Sequence, residues 1–522
     1  MVQTSLSQRR LVTRYLLLYC LFGVIVGVQL GTATWVVAVF EYWPPYSAHF
    51  LLAFTMAGLI VGEICGARVT KKYSSSNAVV FAAAAFAISA LGSFLAVYLW
   101  THEVNAALSF KFLLVAAFTF GIGLGTQHSS LDAWFSVSTR LTSERGPTDS
   151  EMTRGYTTYT LGFFVGQVVF FPLLYNLRWW TTVATTTGNE STPIKMAISA
   201  TPYLVPLVAA VLIMLLRPYS FPEKDIEPEP GDDQESRHSV AGIFRRGGIA
   251  FVMMLIVGSC VSFVIFHIDT FSGPYLLPGS TIAEKTLGVG ILAFVTFVMV
   301  GLFSWKLDAD QRLQTLSPTS RSGVLALNLA FTVVLLGLIV HWNGKFGWFW
   351  VAVALGIASG FVNTLPQLAK WAILDCATMG DKASASAILG IAKRVPNLVF
   401  SLAVMTINDA EVKSPNFAYK LLIAANVIAI IALAIYYSRV RRYDLSIVYP
   451  SDKGVAIADV LAATVSDCPN TTLQALQHLP STNGKARIYI SVYSTSKHYV
   501  RQLVRSLRHN RSVSRASLRR SR

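Results

Sequence analysis

The chain has 522 residues, of which 53% are hydrophobic and only 13% charged, about half the charged share of a soluble domain. That balance excludes a string of purely soluble domains and points to lipid as the main solvent. The net charge of +16 would suit a nucleic-acid binder, but Lys and Arg gather in the loops of one predicted side and in the tail. Membrane topology produces that pattern, and no nucleic-acid partner is expected.

Apolar runs near the roughly 20 residues that cross a bilayer recur along the chain. They predict transmembrane helices near 15–40, 48–67, 78–100, 107–137, 155–177, 196–216, 248–271, 287–305, 323–342, 347–374, 386–407 and 418–438. The first run is too long for a cleaved signal peptide and reads as the first span. With the N-terminus in the cytoplasm, Arg9, Arg10, Arg14, Arg68, Lys71, Lys72, Arg140, Arg145, Arg154, Arg245, Arg246, Arg312 and Arg321 all fall inside. Both termini are therefore expected to be cytoplasmic, in a multi-pass protein of the plasma membrane or an endomembrane. Asn189 opens an Asn-Glu-Ser sequon in a loop placed outside, which would make the chain a glycoprotein.

The stretches between spans divide the chain. Residues 1–216 form a six-helix half, 217–247 an acidic, Pro-rich cytoplasmic loop expected to be disordered, 248–442 a second six-helix half, and 443–522 a basic cytoplasmic tail. Within the tail, Val500, Leu503, Val504 and Leu507 recur at helical spacing with Arg501, Arg505 and Arg508 between them. A short helix resting on an anionic leaflet and a solvated, disordered tail are the two readings. The cysteines are isolated, in neither a disulfide nor a zinc spacing. No P-loop, nucleophile motif or metal-ligand cluster stands in the polar stretches, so no enzyme activity, cofactor or metal is expected.

The two halves echo each other. Gly121, Gly125, His128 and Asp132 share one face of the fourth span, and Gly356, Gly360, Asn363 and Gln367 recur at the same spacing in the tenth. Glycines permit close helix approach, while polar groups at that depth need a partner or a wet cavity. The stripe reads either as helix packing or as the wall of a central path.

Twelve spans, a charged loop after the sixth and similar halves together resemble the major facilitator superfamily, over about residues 9–442. The resemblance implies an all-α integral membrane fold of two six-helix pseudo-repeats. The superfamily's loop signature after span two is present in reduced form as Gly62-Glu63-Ile64-Cys65-Gly66-Ala67-Arg68 with Lys71-Lys72. Leu131-Asp132-Ala133-Trp134 with Arg154, and Leu374-Asp375 through Gly380-Asp381-Lys382 to Lys393, are similar to the glycoside-pentoside-hexuronide (melibiose-permease-like) branch. That branch carries a carboxylate pair in span two, where this chain has Glu63. Trp35 with Phe40-Glu41-Tyr42, Gln127-His128-Ser129-Ser130-Leu131 and Ser359-Gly360-Phe361 resemble fragments of equilibrative nucleoside transporters.

Lys393 and Arg394 lie about two turns inside span eleven, where a charge is costly unless paired or wetted. They would hold an anionic solute group, or form a gate pair with Glu63, Asp132 or Asp375. Asp132 and His128 are one turn apart, suited to passing a proton, or Asp132 bridges to Arg154 at loop level. His267 and Asp269 form a second candidate pair or a wet interfacial cluster. Gln29, Trp35, Gln127, Asn363 and Gln367 would hydrogen-bond or stack on a polar solute, or bond helix to helix.

These readings add up to an expected secondary transporter, acting as a monomer among lipids. It would move a small-molecule substrate (a sugar, nucleoside or organic anion) by alternating access, with proton coupling as one form. A non-transporting membrane receptor and a lipid transporter on the same fold are the alternatives.

Overall fold

The computed structural model describes residues 2–39, 47–101, 106–143, 154–155, 157–167, 193–216, 240–271, 276, 282–309, 318–342, 345, 347–363, 382–406, 415–450, 471–482, 485–494, 497–509 and 513–520. Twelve described helices run through the predicted spans. They are α1 (Val2–Val39), α2 (Ser47–Lys72), α3 (Ser75–Thr101), α4 (Ala106–Ser143), α5 (157–167), α6 (Pro193–Leu215), α7 (Val240–Phe271), α8 (Ile282–Ala309), α9 (Pro318–His341), α10 (Trp348–Asn363), α11 (Lys382–Thr406) and α12 (Pro415–Arg439). Helices are what lipid demands, because each backbone polar group must be satisfied within its own segment. Seven of them, α1–α4, α7, α9 and α12, are long and apolar enough to cross a membrane alone, and α6, α8 and α10 contain shorter apolar stretches. Ile88, Val115, Leu327 and Ile431 are each more than half exposed on the outer surface of the bundle. A belt of such residues would be a liability in water and is ordinary against acyl chains.

The boundary that bears on the division of the chain differs from the sequence reading. Helix α7 begins at Val240, inside the stretch assigned to a disordered loop, and is broken at Gly248, with φ 58° and ψ −155°. Glycine holds that conformation without strain, so residues 240–247 form a helical turn on a separate axis before the span proper.

The glycine stripe is taken up by helix packing. Gly58 and Gly62 of α2 face Gly121 and Gly125 of α4. A Cβ built on Gly121 would stand 2.7 Å from the Leu59 nitrogen, and one on Gly125 would stand 2.8 Å from the Glu63 nitrogen. The Thr126 hydroxyl reaches across to the Gly62 carbonyl at 3.1 Å. Helix α1 meets α5 through a second such set, Gly23 and Gly27 against Gly162 and Gly166. In the other half, Gly356 and Gly360 of α10 pack on α8, but Val295 and Met299 stand where α2 has Gly58 and Gly62. The Thr296 hydroxyl donates to the Gly356 carbonyl at 3.2 Å, as Thr126 does in the first half. The repeat therefore extends to contacts: α2–α4, α3–α4, α3–α6 and α1–α6 recur as α8–α10, α9–α10, α9–α12 and α7–α12. Each half closes on its own core, around Phe22, Met56, Phe86 and Trp134 in one and Phe251, Met254, Leu329 and Leu355 in the other.

The tail departs from both readings of it. One residue after α12, β1 (Arg441–Pro450) opens a four-stranded antiparallel sheet with β2 (Thr471–Thr482), β3 (Lys485–Ser494) and β4 (Arg515–Arg520), in the order β2-β3-β1-β4. The expected helix forms as α13 (Lys497–His509). Its Val500, Leu503, Val504 and Leu507 are buried against Leu445, Ile447, Ile490 and Val492 of the sheet, so its apolar face is covered by protein and does not rest on a leaflet. Strands β1 and β3 each alternate buried and open positions, a period-2 pattern that the interleaved arginines disguise.

Gly121→Ala should destabilise the detergent-solubilised protein by about 1–3 kcal/mol, the usual cost of overpacking. Gly301→Ala, where a Cβ meets nothing within 4 Å, should leave the unfolding midpoint unchanged.

Candidate functional site

Among the described residues, the halves meet most extensively between α2 and α11. Packing of Gly62 and Gly125 holds this end of α2 against α4, and from there Glu63, only 4% exposed, projects onto α11 at Gly390. A Cβ on Gly390 would stand 2.8 Å from Glu63 Oε1 and 3.1 Å from Oε2, so that glycine makes the space the carboxylate occupies. Arg394 lies one turn further along the same face of α11, and its charge partners are Glu63 and Tyr159 of α5. Its Nε has no hydrogen-bond partner among the described residues. The buried carboxylate and the half-buried guanidinium each carry a desolvation cost, and the attraction of their opposite charges offsets part of it.

Lys393, adjacent in sequence, points elsewhere. Its Cε lies 3.8 Å from a Cβ built on Gly258 of α7, within the second half, where the Ser259 hydroxyl also reaches the Ala392 carbonyl at 2.8 Å. Of the two cations in this span, Arg394 is attracted to Glu63 of the other half and Lys393 faces its own.

Toward the other end of α2, a second cross-half cluster forms. The His49 ring lies 6.1 Å from Phe400 of α11, and Phe400 lies 4.7 Å from His267 of α7. Phe263 stacks at 4.1 Å from His267, whose Nδ1 is 2.9 Å from the Phe263 carbonyl oxygen. His49 and Asn397 also bear on the His267 ring. Helices α2 and α11 thus run antiparallel, Glu63 meeting the start of α11 and His49 its far part. A further contact between the halves is aromatic: Phe164 of α5 lies 5.8 and 5.5 Å from Phe294 and Phe297 of α8.

The first half also carries buried carboxamides. Gln29 donates to the Phe86 carbonyl at 3.3 Å and Gln167 to the Gly27 carbonyl at 3.0 Å. The side-chain oxygens of both, and both amide atoms of the fully buried Gln127, have no hydrogen-bond partner among the described residues. A buried carboxamide left so is costly by about 1–3 kcal/mol unless water or a solute answers it. Asn363 donates to the Ser359 hydroxyl at 2.8 Å within α10, a local role.

Of the remaining candidates, Arg154 is exposed at the start of the fifth span, where its carbonyl accepts from the Thr158 hydroxyl at 2.7 Å. The side chains of Trp35, His128, Asp132 and Asp269, and all of Asn189, Gln367 and Asp375, lie outside the described residues. The sequence reading did not single out His49, Gly390, Asn397 or Phe400. A glycine one turn before a buried arginine was the available signal for Gly390; Phe400, an aromatic in an apolar span, gives none.

No protein-family model matches the sequence, and no curated protein matches it either. The backbone does match solved structures. With FucP, a major facilitator superfamily transporter in the outward conformation and the fucose:proton symporter of E. coli, the TM-score is 0.54 at 15% identity, over 82% of this chain and 99% of that one. With the proton:xylose symporter XylE from E. coli it is 0.56 at 15% identity, over 83% and 95%. With a bacterial homologue of the iron transporter ferroportin, outward-facing, it is 0.55 at 12% identity, over 82% and 99%. The chain has the major facilitator fold.

The Glu63 and Arg394 contact makes a quantitative expectation. Glu63→Gln and Arg394→Gln should each destabilise the folded protein, by about 3–5 kcal/mol where the remaining charge stays buried. The double variant should cost less than the sum of the two by at least about 1 kcal/mol. Unfolding midpoints in detergent measure the cycle, and strict additivity would show the two side chains to be independent.

Proposed function

We propose that this chain is a secondary transporter that moves a small polar solute across its membrane by rocking its two halves against each other. The observation that carries this reading is the seating of Glu63 of α2 in the space left by Gly390 of α11, one turn from the oppositely charged Arg394. A contact of this kind, made between two halves that each have their own core, is lost when the halves separate at that end, so it biases one facing state over the other.

Protonation of Glu63 would cancel its attraction for Arg394 and release that end, which is how a proton would be coupled to opening. The carboxamide atoms of Gln29, Gln127 and Gln167 that lack partners among the described residues suit a hydroxyl-rich, uncharged solute, which both donates and accepts. A sugar meets that description, and FucP and XylE are by name sugar symporters. Lys393, on the face turned toward α7, is on this reading the group that orients an electronegative part of the solute.

Uptake into proteoliposomes of labelled sugars, nucleosides, amino acids and organic anions tests the proposal, with and without an inward proton gradient. Wild type should accumulate one polar class under the gradient. Lys393→Ala should lose roughly tenfold or more of that uptake, the worth of one charge-assisted hydrogen bond. Glu63→Gln should retain solute exchange and lose the response to the gradient. No uptake of any compound by folded wild type would overturn the proposal in favour of a receptor or a lipid carrier.

A further inference from the structure

The face of the tail sheet that α13 leaves uncovered is concave, with a volume of about 770 Å³, and is lined by Arg442, Arg487, Arg515 and Arg519 against one carboxylate, Asp444. The strand register arranges these groups. Asp444 lies opposite Arg519 and bonds Arg442 at 3.4 Å, so this end of the groove is partly neutralised. Six residues beyond Arg442, Val448 of β1 pairs with Arg487 on one side and Arg515 on the other. The two guanidinium-bearing positions therefore flank a single residue on one face, two strand spacings or about 10 Å apart. Among the described residues, no carboxylate lines that end of the groove. Ser446 lies beside them, paired with Ser517 and Tyr489, and Arg487 donates to the Tyr489 hydroxyl at 3.2 Å.

We propose that this groove is a binding site for a multiply phosphorylated anion, held between Arg487 and Arg515 with hydroxyls from Ser446, Ser517 and Tyr489. Guanidinium forks match phosphate oxygens two at a time, and hydroxyls serve the oxygens between them. A single-stranded nucleic acid fits less well, because it asks for several stacking rings along its path and the groove offers one, Tyr489. Two sources carry the proposed chemistry. Because β1 starts one residue after α12 ends, a phosphorylated lipid headgroup is within reach, and a free polyphosphorylated metabolite is the other source.

The test uses the full chain in nanodiscs, with hydrogen exchange followed over residues 441–450, 485–494 and 513–520. One arm adds soluble inositol hexakisphosphate to discs of neutral lipid; the other uses discs doped with a multiply phosphorylated phosphoinositide. Protection in the first arm identifies a free anion, and protection in the second alone identifies a headgroup. In either case Arg487→Ala with Arg515→Ala should weaken binding about 5-fold per arginine, about 30-fold for the pair. Arg501→Ala with Arg505→Ala, on the exposed face of α13 and equal in charge removed, should leave it unchanged. Unaltered exchange at the buried Leu445 and Ile488 certifies the fold of each variant. The proposal is overturned if neither probe protects the strands, if both double variants weaken binding alike, or if a single-stranded oligonucleotide binds more tightly than either probe.

Discussion

A buried carboxylate set by one helical bundle against an arginine-bearing helix of the other constrains the rest of this structure. Lipid supplies no hydrophobic drive for helices to associate, so packing has to come from close contact. Glycines at four-residue spacing provide it between α2 and α4, where backbone meets backbone. That rigid pair sets where Glu63 stands, and Gly390 leaves the room its carboxylate needs. Arg394 answers the charge from the other half. A side chain larger than hydrogen at position 390 would displace the carboxylate, and loss of either charge would remove its attraction for the other.

The halves repeat each other in their internal contacts but not in the contacts between them. Under the relation that carries each helix to the one six places later, α2 against α11 corresponds to α8 against α5. The first contact is charged and histidine-bearing; the second is made by Phe164, Phe294 and Phe297. Stacked rings tolerate sliding and rotation with little change in energy, whereas a buried charge contact is either made or lost. On the proposed cycle, α5 and α8 act as the pivot and α2 and α11 as the gate. The same asymmetry appears inside the halves, where Val295 and Met299 of α8 replace the glycines of α2. The contact of α8 with α10 is thus made by side chains that can readjust.

The membrane fold was legible because its signal is redundant: each apolar run is read independently, and boundaries of α2, α3, α9 and α12 fall within a few residues of the predicted spans. Glu63 and Arg394 were also legible, since a charge in an apolar run announces itself. Their being brought together was one of several pairings weighed, because the choice among Glu63, Asp132 and Asp375 depends on which helices meet across the halves. The glycine stripe misled in part: Gly121 and Gly125 carry a long-range repeat, but what they face is α2. The tail sheet was hidden for a different reason. Its strands carry arginines and serines on one face and depend on partners far along the chain, and only α13, a local element, left a periodic mark.

The most direct test of the central claim measures the distance between the two halves at both ends. Spin labels at Tyr73 and Arg439, exposed at the ends of α2 and α12, report the end nearer Glu63, and labels at Ala107 and Trp342 report the other. Pulsed electron-spin resonance should give one short distance for the first pair in wild type. In Glu63→Gln a second, longer population should appear there while the second pair shortens. Identical distributions in wild type and variant, with the protein folded, would contradict the account, because the contact would then hold neither facing state.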